Sequence, residues 1–283
     1  MPIISQLVFY PIKSCAGIHL STATLTGAGL MHDHVYDREW MLVDDDGSFL
    51  SQREYPRMAL ITPRLRSETM ELRAPGMLRL DIALGLPDPA QAPTRQVMIW
   101  QHALKAYDGD GVTRAWFSQF LGVPCQLVRF HPDARHQVNP ERTAGRDIGT
   151  LFSDSYPLLL LSQESLNELN ARLTAQGREA LPMDRFRPNL VITGAEAHDE
   201  DHAASLQMGN AQIRPVKPCP RCPVPSVDQQ TGEVGPDPLD ILRTYRAGVG
   251  GISGIAFGMN CIVTQGEGEV LRIGQEVALE LAF

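Results

Sequence analysis

The sequence predicts a mixed α+β protein in which antiparallel β-structure dominates. Short apolar or alternating segments recur along the chain with turn residues between them, a pattern typical of antiparallel barrels and sandwiches. Helical spacing of apolar residues is confined to three segments, so helices are the minor component. The 283 residues are enough for one large domain or two closely associated ones.

Most predicted strands come before residue 131. One hairpin is indicated by the turn sequence at 44–47, where Gly47 supplies the positive φ that such a turn needs. The strands predicted in this part of the chain are 3–10, 21–25, 40–43, 48–50, 78–84, 96–100 and 125–130.

The second half mixes strands with irregular chain. The segment 131–150 is polar and interrupted by proline and glycine, so we expect a loop-like crossover there, and its composition does not decide whether it covers a site. A tight turn is expected at 208–211. The predicted strands of this half are 158–161, 189–193, 212–214 and two short strands within 269–283.

Three helices are predicted from spacing and capping residues. The first covers 112–121 and stops at Gly122, a residue suited to the left-handed C-terminal position. The second is capped by Ser162 and ended by Gly177. The third covers 239–245 after the N-terminal pair Asp237-Pro238.

The charge balance limits the classes of partner. A net charge of −8 makes nucleic acid and anionic membranes poor candidates, and any anionic ligand needs a local basic pocket. No apolar run approaches the roughly 20 residues of a membrane span. The first 15 residues lack the basic start of a signal peptide. We therefore expect a soluble protein.

The cysteines are few and odd in number, which argues against a disulfide framework and for a reducing compartment. The sequence therefore predicts a cytoplasmic protein. The five are Cys15, Cys125, Cys219, Cys222 and Cys261.

Cys219 and Cys222 have the spacing of a metal or redox motif. A structural zinc site needs four ligands, and no second C-x-x-C is present. A redox motif opens a helix, which the four prolines between 218 and 225 prevent. Those prolines fix the backbone, while Lys217 and Arg221 favour a thiolate, as suits a soft ligand for a transition metal. Two buried structural cysteines remain an alternative. The histidine pairs available to complete a zinc site are His32/His34 and His198/His202.

Several sequence blocks, in order along the chain, resemble the MOSC domain family. The likeness is greatest to its amidoxime-reducing branch, which includes the mitochondrial amidoxime-reducing component and bacterial relatives. The cysteine loop is the centre of this resemblance. The blocks are 10–17 (YPIKSCAG), 37–41 (DREWM), 152–157 (FSDSYP) before 161–166 (LSQESL), 186–191 (FRPNLV), 219–222 (CPRC) followed by 227–228 (VD) and 231–232 (TG), and 272–277 (RIGQEV).

The resemblance implies a MOSC-type β-barrel fold with an N-terminal β-barrel-like domain. It implies a boundary between residues 1–123, the N-terminal domain, and residues 124–283, the MOSC domain. It also implies that Cys222, and not Cys219, ligates molybdenum, with Asp154 as a carboxylate near the metal. The residues implied to bind the pterin and its phosphate are Lys13, Ser14, Arg38, Arg187, Asn189, Ser155 and Arg221.

The chemistry of these side chains agrees with that assignment. An acidic protein must hold a phosphate with locally placed cations, and Lys13 offers a point charge. Arg38 and Arg187 offer planar forks that bind phosphate oxygens in pairs. Asn189 has both a donor and an acceptor for a pterin edge.

The resemblance further implies a molybdenum-dependent oxidoreductase that reduces N-hydroxylated compounds such as amidoximes and hydroxylamines. Asp154, or a water that it orients, would deliver a proton to the leaving nitrogen. Only Cys261 follows the cysteine loop, so we expect electrons from a separate iron–sulfur or cytochrome b5-like protein with its reductase. The alternative is a cofactor carrier or sulfur-transfer protein without turnover, and a zinc-binding β-rich module is a third possibility.

Overall fold

The computed structural model describes residues 1–88 and 91–282. It contains short strands throughout and a few helices, as the sequence predicts. The strands are Ile3–Phe9 (β1), Ile18–Leu20 (β2), Thr22–Thr26 (β3), Gly29–His32 (β4), Val35–Tyr36 (β5), Trp40–Val43 (β6), Thr62–Leu65 (β7), Thr69–Arg73 (β8), Leu80–Ala83 (β9), Thr94–Ile99 (β10), His102–Asp108 (β11), Gln126–Phe130 (β12), His136–Gln137 (β13), Gly149–Thr150 (β14), Leu158–Ser162 (β15), Leu190–Thr193 (β16), Ala203–Met208 (β17), Ala211–Pro220 (β18), Ala256–Gln265 (β19), Val270–Arg272 (β20) and Ala278–Leu281 (β21). The α-helices are Gly111–Leu121 (α1), Pro140–Thr143 (α2), Gln163–Thr174 (α3), Asp199–His202 (α4) and Leu239–Arg246 (α5).

An eight-stranded sheet forms the frame of the molecule, in the order β2-β1-β16-β15-β19-β18-β17-β21. All neighbours are antiparallel except β15 and β16, which run parallel. The backbone just before β21 also bonds to β1: Val277 N donates to Pro2 O and Ile4 N donates to Gln275 O. The sheet therefore curls toward a barrel, and the predicted α+β class with dominant antiparallel structure is confirmed.

Four smaller sheets surround this frame, and strands from distant parts of the chain share them. β20 joins β3, β4 and β5, while β6 joins β12, β11 and β10. The other two sheets are β7-β8-β9 and β13-β14. β1 pairs with β16 and β3 pairs with β20, so strands from before and after residue 124 share the same sheets. The domain boundary at that residue stays a prediction.

The predicted helix ends follow from their capping residues. Helix α1 starts where the Asp110 side chain accepts from Thr113 N, and it ends at Gly122 with φ of 75°. Helix α3 starts where the Ser162 side chain accepts from Ser165 N. At α5, Asp237 Oδ1 accepts from Leu239 N, so the aspartate caps the first turn as expected.

Two local predictions need correction. The segment 131–150 is not wholly a loop, since it contains β13, α2 and β14. Its helix is only one turn, capped by Asn139 and started by Pro140, which is too short for apolar periodicity to reveal. The turn around Gly47 is present, but 48–50 is not a regular strand and forms only isolated bridges, from Phe49 to Val43 and from Ser48 to Met98.

None of the helices in the two described ranges is long and apolar enough to span a bilayer. The buried core is mostly aliphatic and draws on both halves of the chain, with Leu7, Leu25, Leu160 and Met208 in one continuous cluster. The large sheet that carries part of the site is built from residues 3–20 and 158–281, and the core beneath it draws on the segment between them as well.

Candidate active site

A pocket of about 490 Å³ opens over the middle of the large sheet. Part of its lining is one row of residues across four neighbouring strands or their ends: Asn189, Leu159, Asn260 and Lys217. Loops that follow or precede the strands form the rest of the lining. The volume lies in the usual range of about 300–1,000 Å³ for small-molecule sites.

All nine site residues chosen from the sequence line this pocket. They come from segments far apart in the chain, which the fold brings together. The nine are Lys13, Ser14, Arg38, Asp154, Ser155, Arg187, Asn189, Arg221 and Cys222. The structure thus brings the candidates together, while their individual roles stay predictions.

The described lining is strongly cationic although the whole chain carries a net charge of −8. Asp154 is the one carboxylate among the described lining residues. The cations are Lys13, Arg38, Arg53, Arg185, Arg187, Lys217 and Arg221. This is the local basic pocket that an acidic protein needs in order to hold an anion.

A buried polar network holds Arg38. Its Nη1 donates to Asp37 Oδ2 and, at 3.0 Å, to Asn189 Oδ1. Asn189 is 1% exposed and donates in turn to Asp37 Oδ1 and to Val8 O. Asp37 also accepts from Tyr10 N at 2.8 Å, so the carboxylate fixes both the arginine and the amide.

Arg187 makes few hydrogen bonds for a cation in this position. Its Nη1 donates to Gln229 Oε1 at 3.3 Å, and its buried Nη2 has no hydrogen-bond partner. The guanidinium lies 4.3 Å from the centre of the Tyr10 ring, and that of Arg38 lies 4.5 Å from the same ring. Burial and the neighbouring Arg38 lower the pKa of Arg187. An anion bound beside Arg187 would accept from the unpartnered nitrogen and would offset the repulsion from Arg38.

Lys13 and Asp154 form an ion pair at the edge of the pocket. Lys13 Nζ donates to Asp154 Oδ1 at 2.8 Å and to Phe152 O at 2.9 Å. Desolvation lowers the pKa of Lys13 and acts to raise that of Asp154. The Asp154 side chain is nevertheless 71% exposed, and the charge and hydrogen bond of Lys13 outweigh desolvation and lower its pKa to about 2. The carboxyl is therefore ionised at neutral pH.

The cysteine loop leaves the end of β18 along an irregular edge. Proline cannot donate to a strand ladder, and the pairing with β19 shifts register between Pro218 and Pro220. Cys219 is the last but one residue of β18, and Cys222 lies in the turn beyond it. Burial raises the pKa of the Cys219 thiol despite nearby Arg221.

Arg221 braces this loop from inside. Its backbone N donates to Ile255 O, its Nε to Phe257 O and its Nη1 to Phe186 O, at 2.8–2.9 Å. Its buried Nη2 has no partner, as in Arg187. With Arg185 Nε, three guanidinium groups of the described lining thus each keep a buried donor without a partner.

Backbone strain is concentrated at the pocket. Eight described residues other than glycine have positive φ, and four of them line the site. Such conformations cost energy and persist where the surroundings or a function require them. The four are Ser14, Arg38, Trp100 and Arg187.

Sequence reasoning missed several pocket residues. Asp37 was inside a recognised block, yet its role as the partner of Arg38 and Asn189 shows only in three dimensions. Arg185 lines the pocket while donating to Asp228 at 2.6 Å, and no local pattern marks it. Trp100 reaches the site from the tip of a hairpin, which gives no signal in the sequence.

The donor set fits a cofactor that carries both a soft metal and a phosphate. Cys222 supplies a sulfur donor, and the free Nη2 atoms of Arg187 and Arg221 supply unused donors for anionic oxygens. In the described ranges, no group of three or more histidine, cysteine or acidic side chains is arranged to hold a metal ion. A single thiolate completed by ligands of a cofactor is the arrangement these residues can offer.

Two family models match the chain. The MOSC N-terminal beta barrel domain matches residues 1–124, and the MOSC domain matches residues 147–278.

Curated relatives extend over most of the chain. Mitochondrial amidoxime reducing component 2 of Homo sapiens is 31% identical over 247 residues, covering 86% of this chain and 72% of that protein. Mitochondrial amidoxime-reducing component 1 of Mus musculus is 33% identical over 248 residues, covering 86% and 71%. Molybdenum cofactor sulfurase of Oryza sativa subsp. japonica is 31% identical over 295 residues, covering 97% of this chain but 35% of that protein. With both of its domains matched in order and relatives of this extent, the chain belongs to the MOSC family.

Proposed function

We propose that this chain binds a molybdenum cofactor and uses it to reduce N-hydroxylated compounds such as amidoximes and hydroxylamines. The observation that carries the proposal is that the cysteine loop lines one pocket together with arginines whose guanidinium groups keep buried nitrogens without a hydrogen-bond partner. When bound, the cofactor supplies a metal that accepts oxygen from the substrate with transfer of two electrons. The protein supplies binding, orientation and control of protons.

In this proposal Cys222 is the protein ligand to the metal. The turn after β18 holds it next to braced Arg221, which limits the motion of the sulfur. Cys219 belongs to the strand itself, and burial raises the pKa of its thiol, which disfavours its thiolate form. We therefore assign ligation to Cys222 alone.

The cation cluster is proposed to hold the phosphate and pterin. Arg187 and Arg221 have free Nη2 donors, and Lys13 and Arg38 add charge from neighbouring loops. Each charge-assisted hydrogen bond contributes about 1.5–3 kcal/mol. Asn189 positions Arg38 through its hydrogen bonds to Asp37 and to Arg38 itself. Two further candidates contribute hydroxyl groups to the proposed binding site. These are Ser14 and Ser155.

Asp154 is proposed to work as an ionised hydrogen-bond acceptor. With its pKa lowered to about 2, its carboxyl has no proton to donate at neutral pH. Of the two roles considered from the sequence, orienting a water that carries the proton is the better supported. Neighbouring Lys13 holds the carboxylate ionised in that role.

The relatives' names support the reaction class, since two of those compared are amidoxime-reducing components. We propose that electrons come from a separate iron–sulfur or cytochrome b5-like protein with its reductase, and that the protein works in the cytoplasm. The basic pocket mouth, with Arg53 and Lys217 in its lining, suits an acidic donor.

Metal analysis of paired cysteine variants tests the ligand. Cys222→Ser should lose bound molybdenum, because a hydroxyl is a poor substitute for a soft thiolate. Cys219→Ser is the matched control, three residues away in the same lining, and should retain most of the metal. Equal losses from both variants would contradict a single-cysteine site.

A turnover assay tests the reaction. Protein with full molybdenum occupancy should reduce benzamidoxime with an artificial reductant. Stoichiometric cofactor without turnover would favour the carrier or sulfur-transfer alternative, which the likeness to a molybdenum cofactor sulfurase keeps open. Zinc at unit stoichiometry, with no pterin fluorescence after oxidation, would refute the molybdenum proposal.

A further inference from the structure

The hairpin between β10 and β11 carries a residue that its geometry disfavours. Ile99 pairs with His102, so Trp100 and Gln101 form a two-residue turn. Trp100 occupies the first turn position with φ of 54°. Two-residue hairpin turns favour glycine, asparagine or aspartate where φ is positive, and a bulky aromatic residue there is a genuine outlier.

Burial in the core does not explain this tryptophan, because Trp100 is 48% exposed. Its contacts are instead with the edge of the pocket. The indole Nε1 donates to Asp154 Oδ1 at 3.1 Å. The Arg53 guanidinium lies 4.6 Å from its ring centre, and the Phe49 ring packs edge-on at 5.0 Å. The strained turn therefore aims the indole at the pocket carboxylate.

The carboxylate of Asp154 is held on one side only. Lys13 Nζ and Trp100 Nε1 both donate to Oδ1, and in the described part of the chain no hydrogen bond to Oδ2 is made. The Asp154 side chain is 71% exposed, and a single hydrogen bond from Lys13 would leave the carboxylate free to rotate about that contact. A second donor on a rigid ring restricts that motion and leaves the other oxygen available.

We propose that Trp100 is a positioning residue: its indole N–H fixes Asp154 so that Oδ2 is free to accept a hydrogen bond from the substrate or its water. Arg53 and Phe49 hold the indole in place. The inference rests on the proposed function, in which Asp154 works beside the reacting group. Strain in the turn is retained because it serves the site and not the fold.

Two substitutions separate positioning from packing. Trp100→Asn suits a positive φ, so the melting temperature should stay the same or rise, whereas a structural role would make it fall. Trp100→Phe keeps an aromatic ring at this position and removes the N–H together with the pyrrole half of the indole. In fully loaded protein it should lower kcat/KM for benzamidoxime about tenfold, the scale of one hydrogen bond to a charged group.

A double-mutant cycle tests whether the effect passes through Asp154. In an Asp154→Asn background, Trp100→Phe should change kcat/KM by less than about twofold, because the carboxylate that it positions is gone. An equal tenfold loss in both backgrounds would overturn the proposal. A fall in the melting temperature of Trp100→Asn would overturn it as well.

A second readout is independent of turnover. In cofactor-free ¹⁵N-labelled protein, the Trp100 indole resonance is the one of three that disappears in Trp100→Phe. It should move on Asp154→Asn and stay in place on Asp46→Asn, an exposed control. An indole chemical shift that is unchanged in Asp154→Asn would refute the positioning role. Absence of turnover with the indole response intact would refute the proposed reductase activity instead, so the two failures are distinguishable.

Discussion

At the scale of single residues, the pocket combines charges that repel one another with few counter-charges of its own. Arg38 is neutralised by Asp37 and Lys13 by Asp154, but Arg187 has a neutral amide as its hydrogen-bond partner. Like charges held close together destabilise the folded protein unless an anion joins them. The cofactor-free protein therefore holds electrostatic energy that an anionic ligand can release.

Replacing Arg187 tests whether its charge destabilises the cofactor-free protein and strengthens the binding of the proposed cofactor. Arg187→Met keeps a flexible side chain against Tyr10 and removes the charge. The free energy of unfolding of cofactor-free protein should rise, while cofactor affinity should fall about 10–100-fold for the loss of roughly 1.5–3 kcal/mol. Urea unfolding and pterin retained after dialysis measure the two effects. Arg64→Met, at an exposed position of β7, is the control and should leave retention unchanged; unchanged retention in Arg187→Met would contradict the assignment.

The Asp154 pKa predicts a specific acid response. Because its pKa is lowered to about 2 by folding, the carboxylate contributes stability that is present above the unfolded value near 4 and is lost as pH falls toward 2. In Asp154→Asn that component is absent. The difference in unfolding free energy between wild type and variant should therefore be constant above about pH 5 and shrink between about pH 4 and 2. A difference that stays constant through this range would contradict the Lys13 ion pair.

At the scale of elements, close backbone approach fixes how β19 packs beside the pocket. Gly258 has φ of 79°, and a Cβ there would lie 2.7 Å from Leu160 O on the adjacent β15. The next residues along β19 include Asn260, which lines the pocket. The geometry of the site thus depends on a glycine that is two positions away from the lining.

Gly258→Ala should therefore cost more than the intrinsic penalty of positive φ. Gly268→Ala is the matched control, since Gly268 has φ of 89° and nothing within 4 Å of an added Cβ. We expect about 1–2 kcal/mol for the control from backbone conformation alone. We expect a loss larger by about 1–3 kcal/mol for Gly258→Ala from the steric conflict. Equal losses in chemical denaturation would show that the strands separate without strain.

At the scale of the whole molecule, the cationic pocket within an acidic chain predicts ligand-dependent stability. Pyrophosphate should raise the melting temperature of the cofactor-free protein, because an anion bound only to the folded state stabilises it by mass action. Sodium chloride at the same ionic strength controls for screening. The shift should be smaller in Arg187→Met, and equal shifts from both salts would argue against a specific anion site.

The sequence was sufficient for the fold class, for several helix ends and for nine of the residues that line the pocket. The caps are local, since Asp110 and Ser162 each bond to a backbone N–H three residues ahead. The pocket set came from ordered blocks and not from periodicity. Trp100 and Arg185 could not be predicted because their role depends on partners 54 and 43 residues away along the chain. For the same reason the sequence did not show that β1 and β3, in the first matched segment, pair with β16 and β20, in the second.

The pairing of early strands with late ones has a consequence for the synthesis of the protein. Ser5 on β1 bonds to Val191 on β16, 186 residues later, and Lys13 meets Asp154 across 141 residues. At ordinary synthesis rates of about 5–20 residues per second, β1 waits roughly 10–40 s for its partner strand. During that interval its apolar face and open edge need protection from aggregation. The pocket is therefore completed only after Asn260 has been synthesised, and we expect the proposed cofactor to bind after that point and not to a shorter nascent chain.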